Sequence, residues 1–400
     1  MLSPELDEPA PKLAKRFRDY QTFNPTEAKA IKLERNRLKR RRNNLIRVVA
    51  GLALVGAGLS NYVNDVRDNQ ELQASASISI QVEGQALDEA NNDTALVFID
   101  GYGTDDAGII TEYMGRAVQP VIDGQRWSVK YNNAGLEPSE IAERIIRLAR
   151  QLGVEHIVFV GRSAGGNTAM LAQEEVIKHS ALSVDAIVLI STPDGVKYLQ
   201  PATQTQIQIV EAFAGVPGIR HSGFLRRLGE VGFRYASWTS SSNPIENAQN
   251  LIETINDVNA KLESNTLPGM SLMFDQMLAI QTSDIEQRME NISLLPEYEV
   301  HPTTIVIGTA APGYDRVVES EGSSASIMGY ATKFDVPALA YDVPGADHFY
   351  PQRANKAYIK TFADAAPEIQ ATIANQKSIA SLHRITSQYI PPILKEIPKD

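Results

Sequence analysis

A serine stands between glycines in the run Gly161-Arg162-Ser163-Ala164-Gly165. The run follows the apolar residues 156–160, which read as a buried strand, and precedes a helical pattern over 164–178. A strand that turns sharply into a helix needs small residues on either side of the apex and presents the apical side chain clear of the sheet. The context predicts that Ser163 is a nucleophile and that the Ala164 N–H, at the helix start, faces an oxyanion. The alternative is a tight strand–helix turn with an incidental serine.

A serine hydroxyl needs a base, and the base needs an acid that orients it. Among the six histidines, His348 directly follows a predicted strand and lies in a loop at the carboxyl edge of the sheet, where parallel α/β sheets bind ligands. We therefore predict that His348 is the base. The other five lie within or at the start of a strand, near or within helices, or in the long helical segment: His156, His179, His221, His301 and His383.

Two aspartates are candidates for the acid that orients His348. Asp315 comes after the predicted strand 304–307, and Asp194 comes after the predicted strand 186–190. Both follow the carboxyl end of a strand, so either could reach a histidine at that edge. Asp315 is the favoured acid, and Asp194 stays open as the alternative.

Short apolar strands alternate with helical patterns along most of the chain. Strands are predicted at 95–99, 127–131, 156–160, 186–190, 304–307 and 338–341, with helices at about 106–120, from 138, at 164–178, at 323–333, from about 350 and at 366–389. This alternation predicts an α/β fold with a mostly parallel sheet flanked by helices. The alternation stops in residues 196–300, which look helical and are called the cap below.

The glycine-flanked serine, the chain order Ser163, Asp315, His348, and a glycine-bearing loop after the strand 95–99 resemble the α/β-hydrolase superfamily. The resemblance covers about residues 94–365 and implies the α/β-hydrolase fold, in which the cap stands where the family carries its cap domain. The loop after the first core strand often begins with His-Gly in that family, whereas here it begins with Asp100-Gly101.

By the family pattern, the second oxyanion donor is the N–H of Tyr102. The implied activity is two-step acyl transfer by an esterase-like or lipase-like serine hydrolase, with a small-molecule or lipid-like acyl substrate. The cap is expected to line the acyl pocket, and its apolar residues Leu267–Phe274, Met277 and Leu278 would give the pocket a flexible surface if they are exposed. The alternative is that these residues form the internal core of the cap. Acyl transfer to another acceptor, peptide hydrolysis, or a catalytically inactive binding module are the alternatives.

The amino-acid composition excludes several classes of protein and of catalytic chemistry. The 400 residues are 43% hydrophobic and 22% charged, as in globular proteins, and include no cysteine, which excludes disulfides and a cysteine nucleophile. No metal-ligand spacing, phosphate loop or dinucleotide fingerprint is present, so we expect no cofactor and no metal.

The charges are unevenly distributed along the chain. Residues 1–47 carry 13 lysines and arginines against six acidic residues, and the rest of the chain brings the net charge to −10. A basic N-terminal segment followed by an acidic remainder is unlike a nucleic-acid-binding domain, in which basic residues cover the folded surface. No nucleic acid partner is therefore expected.

The N-terminal pattern is typical of a membrane anchor. Residues 1–44 are predicted to be a basic, loosely ordered tail, and the apolar stretch 45–63 to be a transmembrane signal-anchor in the bilayer. The positive-inside rule then puts the tail in the cytoplasm and the enzyme outside. A cleaved signal peptide with secretion, or a buried helix of a soluble protein, are the alternatives.

The remaining boundaries follow from these segments. Residues 64–93 are predicted to be a stalk, with 77–82 as a short edge strand. The α/β core is then 94–195 together with 301–365, and a C-terminal helix and tail occupy 366–400.

Overall fold

The structure is a computed structural model. It describes residues 66, 77–131, 135–201, 203–205, 207–208, 222, 231, 243–263, 270–296, 299–310, 315, 317–346, 348 and 351–389. The predicted tail 1–44 and anchor 45–63 lie outside the described residues. Within the described ranges, no helix is both long enough and apolar enough to span a bilayer.

Seven strands of the described ranges form one sheet. They are β1 Ser79–Gly84, β2 Thr94–Ile99, β3 Gln125–Lys130, β4 His156–Arg162, β5 Ser183–Ile190, β6 Thr303–Ala310 and β7 Ala338–Pro344. Their order across the sheet is β1-β3-β2-β4-β5-β6-β7, with β1 antiparallel to β3 at one edge and the other pairs parallel. The predicted mostly parallel sheet is therefore confirmed.

The helices connect the strands and cover both faces of the sheet. Those described are α1 Gly108–Val118, α2 Pro138–Leu152, α3 Ala164–His179, α4 Pro244–Glu263, α5 Met270–Thr282, α6 Ile285–Ser293, α7 Ser320–Phe334 and α8 Asn355–Tyr389. Three of them lie within the predicted cap, which is helical wherever it is described at length.

Alternate residues of the strands enter two separate hydrophobic cores. Val97 and Ile99 of β2 pack in one core with α2, α3 and α7, and Leu96 and Phe98 pack in the other with α1 and α8. Because side chains alternate between the two faces of a sheet, a strand covered on both faces is apolar at every position. This explains the uninterrupted apolar run of β2.

The sheet begins earlier than predicted. β1 lies inside the segment 64–93, which the sequence assigned to a stalk, and it pairs with β3 in a register that sets Ile80 opposite Val129. Ile80 also packs against the first core, so this edge strand belongs to the folded domain. The short strand expected at 77–82 corresponds to it with a shift of two residues.

The C-terminal helix differs from its prediction. Two helices were expected, one from about 350 and one over 366–389, but α8 is continuous over 35 residues. Phe362, Ile369 and Ile373 recur at helical spacing on its buried side and pack in the second core. The core therefore extends past residue 365, because one apolar stripe runs across the predicted break.

Two cap helices are attached to the core of the domain. Leu272 of α5 and Met289 of α6 are fully buried in the first core. Glu174 of α3 forms an ion pair with Arg288 of α6 and accepts a hydrogen bond from Asn291. This part of the cap is therefore an integral layer over α3.

Asp185 is a buried carboxylate near the start of β5. Its oxygens lie 3.0 Å from His156 Nδ1 and 2.7 Å from Lys377 Nζ of α8. Burial alone would raise the pKa of this carboxyl, but the hydrogen bond from His156 and the positive charge of Lys377 hold the pKa below its ordinary value. Asp185 therefore ties α8 to the sheet as an ionised group.

Asp185→Asn is expected to lower the free energy of unfolding by about 1–3 kcal/mol at pH 7, because buried polar partners lose their acceptor charge. The pKa is lower in the folded than in the unfolded state, so the contribution is present above about pH 4 and is lost as the pH falls through the folded pKa. Urea unfolding at several pH values should show the difference between wild type and variant shrinking below about pH 4. Asp364→Asn, which removes an exposed pair with Lys360, is the control. A difference that stays constant down to pH 3 would refute the assignment.

Candidate active site

Ser163 occupies the turn between β4 and α3 in a strained conformation. Its φ is 54° and its ψ is −131°, a region that residues with a side chain rarely adopt. Its N–H donates to the Ile190 carbonyl of the neighbouring strand β5 over 2.8 Å. A Cβ atom on Gly165 would collide with the main chain of Ile99 and Asp100 at the end of β2. The turn is thus held from both sides, and glycine at 165 lets β2 approach it.

The three predicted side chains meet at this turn. His348 Nε2 lies 2.9 Å from Ser163 Oγ, and His348 Nδ1 lies 3.0 Å from Asp315 Oδ2. The side chains are 6%, 7% and 4% exposed for Ser163, His348 and Asp315. In this arrangement the imidazole can accept the hydroxyl proton while the carboxylate fixes its tautomer and stabilises the imidazolium.

Asp315 is surrounded by hydrogen-bond donors. Its Oδ1 accepts the N–H groups of Val317 and Val318 over 2.9 and 2.8 Å, and its Oδ2 also accepts the Thr309 hydroxyl over 3.2 Å. Burial alone would raise the pKa of this carboxyl, but the hydrogen bond and charge of His348, together with the two N–H groups, hold the pKa below its ordinary value. Asp315 is therefore ionised at neutral pH.

The alternative acid, Asp194, is engaged elsewhere. Its Oδ2 accepts the hydroxyls of Ser326 and Tyr330 of α7 over 2.5 and 3.1 Å, and its N–H donates to Ser323 Oγ over 2.8 Å. The carboxylate thus fastens the loop after β5 to α7. Over the described ranges, no group of three or more His, Asp or Glu side chains is placed to hold a metal ion.

The loop after β2 runs against the serine turn; we call residues 100–104 the oxyanion loop. A Cβ atom on Gly101 would lie 2.7 Å from the Arg162 carbonyl oxygen and 3.2 Å from Ala164 N. Ala164 is the first residue of α3, so its N–H has no acceptor within the helix. Tyr102 packs against the cluster that contains Ala164. The two residues predicted as oxyanion donors are thereby brought to the same place.

A buried ion pair beneath the site was not predicted. Arg162 Nε donates to Asp100 Oδ1 over 2.7 Å, and Arg162 Nη1 donates to the His348 carbonyl over 2.8 Å. Asp100 Oδ1 also accepts the Gly101 N–H over 2.7 Å. Burial lowers the pKa of Arg162, but the charge of Asp100 raises it above its ordinary value. The sequence signal was available, because opposite charges stand at the carboxyl ends of two buried strands.

Arg162→Met is expected to lower the free energy of unfolding by about 3–5 kcal/mol, because Asp100 would be left as an unpaired buried charge. Asp100→Asn combined with Arg162→Met should recover part of this loss, since no uncompensated charge then remains. Denaturant unfolding of both variants and the wild type measures the two differences. A single variant within about 1 kcal/mol of the wild type would contradict the role of the pair.

Apolar side chains surround the residue next to the nucleophile. Ala164 packs in a buried cluster with residues from the cap, from the loop that carries Asp315 and from the segment after β5: Leu199, Ile207, Met277, Ile280 and Val318. Of the cap residues expected to line an acyl pocket, Met277 lies in this cluster, whereas Leu272 packs in the first core. Residues 267–269 lie outside the described residues. The surroundings of Ser163 are thus apolar on the cap side.

Comparisons with known proteins find similar solved structures at low sequence identity. No family model and no curated protein matches the sequence significantly. Solved structures similar to the chain include an esterase from Exiguobacterium antarcticum, at 12% identity, a TM-score of 0.43 and coverage of 73% of this chain and 96% of that one. A proline iminopeptidase from Mycobacterium smegmatis has 11% identity and a TM-score of 0.39, covering 75% and 97% of the two chains. A meta-cleavage product hydrolase from Pseudomonas fluorescens has 15% identity and a TM-score of 0.41, covering 74% and 97%. Likenesses at this level do not identify a substrate.

Proposed function

We propose that this chain, which has the α/β-hydrolase fold, is a serine hydrolase that cleaves carboxylic esters through an acyl-enzyme. The observation that carries the proposal is the hydrogen-bonded series Ser163, His348, Asp315 at the strained turn after β4. The turn lies between a central strand and a helix, and the residues follow in the chain order Ser, Asp, His, which is the arrangement of that fold.

In the first step, His348 Nε2 takes the proton of Ser163 Oγ as the oxygen attacks the ester carbonyl carbon. The carbonyl oxygen gains negative charge and is stabilised by the N–H groups of Ala164 and Tyr102 and by the dipole of α3. His348 then gives its proton to the departing alkoxide, the ester C–O bond breaks, and the acyl group remains on Ser163.

In the second step, water enters and His348 removes one of its protons as the oxygen attacks the acyl carbon. Collapse of this intermediate returns the proton from His348 to Ser163 Oγ and releases the carboxylic acid. Asp315 stays ionised and holds the imidazole by its Nδ1 side, in keeping with the hydrogen bond to His348 and with a pKa that is held below its ordinary value.

The apolar cluster around Ala164 supports an apolar acyl group as the part of the substrate that enters the site. Met277 and Ile280 of α5 face this position from the cap, and methionine adapts to ligands of different shape. Small-molecule or lipid-like acyl esters are therefore the proposed substrates. A peptide would bring polar main-chain groups for which the apolar side chains of this cluster offer no hydrogen-bond partner.

A fluorophosphonate probe tests the nucleophile. We expect the folded wild type to be labelled and Ser163→Ala to be unlabelled. Ser191→Ala is the matched control, because Ser191 is also a buried serine of positive φ, at the end of the adjacent strand β5. Labelling that persists in Ser163→Ala, or an unlabelled folded wild type, would overturn the proposal and, in the second case, favour a binding module.

A substrate panel tests the specificity. p-Nitrophenyl esters of increasing acyl length, matching peptide anilides, and an added alcohol acceptor separate esterase, peptidase and acyltransferase. Ester turnover with a preference for apolar acyl groups is expected. Faster anilide cleavage, or ester product formed mainly with the alcohol, would replace the esterase assignment.

We propose in addition that the chain is tethered to a membrane through residues 45–63. The support is the sequence alone, in which eight lysines and arginines between residues 32 and 47 lead into the apolar stretch. The full chain should sediment with membranes and resist extraction at high salt, whereas a chain starting at residue 64 should not. Release of the full chain by salt alone would contradict a spanning anchor.

A further inference from the structure

Gln276 of the cap is bonded to the oxyanion loop. Its side chain is fully buried on α5, its Oε1 accepts the Gly103 N–H over 3.0 Å, and its Nε2 donates to the Thr104 carbonyl over 2.8 Å. One amide thus pairs with a donor and an acceptor of two consecutive residues. Such a pairing fixes both the position and the orientation of the loop main chain.

The loop transmits this constraint to the proposed oxyanion donor. The Thr104 hydroxyl donates to the Gly101 carbonyl over 2.9 Å. That carbonyl shares its planar peptide unit with the Tyr102 N–H, so a bond to the carbonyl also sets the direction of the N–H. The Gly103 N–H shares the next peptide unit with the Tyr102 carbonyl. Gln276 therefore holds the peptide on one side of Tyr102 directly and, through Thr104, the peptide on the other side.

The helix that carries Gln276 is itself anchored. Leu272 is fully buried in the first core, and Asp275 Oδ2 accepts the Leu136 N–H over 3.1 Å. Displacement of α5 would break both hydrogen bonds of the buried Gln276 amide and remove this partner from the Gly103 N–H and the Thr104 carbonyl. The side chain of Gln276 thus links the docked position of α5 to the arrangement of the oxyanion loop.

We infer that Gln276 is a positioning residue for the oxyanion hole and that it makes the hole depend on the docking of the cap. The inference rests on the proposed function, because it assigns the Tyr102 N–H to the oxyanion. In this assignment Gln276 acts through the main chain of Gly103 and Thr104, to which its amide is bonded.

The kinetic test is Gln276→Leu, which removes both hydrogen bonds and keeps a similar volume. We expect kcat for p-nitrophenyl esters to fall about 10–100-fold, less than the roughly 10²–10³-fold loss that follows removal of an oxyanion donor itself. KM should stay within twofold, because the ground state of the ester carries little charge on the carbonyl oxygen. Gln119→Leu is the matched control: Gln119 is another buried glutamine, and its side chain donates two hydrogen bonds, to the Gln85 and Gly124 carbonyls before β3. A kcat within twofold of wild type in Gln276→Leu, or an equal loss in Gln119→Leu, would overturn the inference.

A second variant covers the case in which Gln276→Leu fails to fold. Thr104 is half-buried, and Thr104→Val removes the bond to the Gly101 carbonyl without touching α5. It should lower kcat with an unchanged KM, and Thr104→Ser should restore kcat. A Thr104→Val variant as active as the wild type would overturn the link from Gln276 to Tyr102.

Amide hydrogen exchange separates this inference from the proposed function. A peptide spanning residues 100–107 should exchange faster in Gln276→Leu than in the wild type and in Gln119→Leu, relative to β4 in the same sample. This result is independent of turnover. If the wild type neither hydrolyses esters nor reacts with the fluorophosphonate, the proposed function fails, while unchanged exchange in an active protein overturns the role of Gln276 alone.

Discussion

Alanine in place of Ser163, or in place of His348, is expected to lower kcat for ester hydrolysis by about 10⁶-fold, and the double variant should fall no further. The two side chains are 2.9 Å apart and perform one proton transfer, so removal of either abolishes the same step. Steady-state kinetics of the three variants, with the wild type as reference, measures this non-additivity.

The remaining activity is informative too. A residual rate above that of the uncatalysed reaction is expected, because the N–H groups of Ala164 and Tyr102 still stabilise the oxyanion when water attacks directly. Losses that multiply in the double variant would show that Ser163 and His348 act in separate steps and would exclude the proposed mechanism. His156→Ala is the control, since His156 lies at the start of β4 and pairs with Asp185.

Asp315→Asn is the second large effect, with an expected loss of about 10⁴-fold in kcat. An asparagine amide facing His348 Nδ1 can donate to it, which favours the tautomer whose Nε2 carries the proton and cannot act as a base. Asp194→Asn should leave kcat within a fewfold of wild type, because Asp194 bonds Ser326 and Tyr330 of α7.

The stability of the Asp315→Asn and Asp194→Asn variants should be measured by thermal unfolding alongside their kcat. Both variants lose a buried acceptor charge, so both should be less stable by about 1–3 kcal/mol. Equal loss of stability with unequal loss of kcat identifies Asp315 as the orienting group. A larger fall in kcat for Asp194→Asn than for Asp315→Asn would reverse the assignment.

The sequence predicts the central strands and the serine turn well because these depend on local signals. β2 is apolar from Ala95 to Ile99 because both faces of the strand are covered. Gly161 and Gly165 are needed because the main chain on either side of a sharp strand-to-helix turn leaves no room for a Cβ atom. His348 could be found because it lies in the loop just after the last strand, β7, which ends at Pro344. The positions of these residues could be predicted from the order of strands and helices along the chain, without knowing which elements pack together.

Contacts between distant segments were not predictable in the same way. Gln276 lies 173 residues from Gly103, and its polar side chain in a cap helix gives no local sign of burial. The stalk and C-terminal boundaries failed for a related reason: β1 is polar on its exposed face and gains its place only by pairing with β3, and α8 continues because residues beyond 365 meet the sheet. Tertiary packing decides these elements over local propensity.

The backbone conformation of Ser163 favours reactivity at the expense of stability. Its φ of 54° is favourable for glycine and unfavourable for serine, so the hydroxyl is held in place at a cost in conformational energy. Glycine at this position would relieve the strain and at the same time remove the nucleophile. Repeated selection of this protein for heat resistance, without any demand for turnover, should therefore enrich Ser163→Gly and drift toward an inert fold.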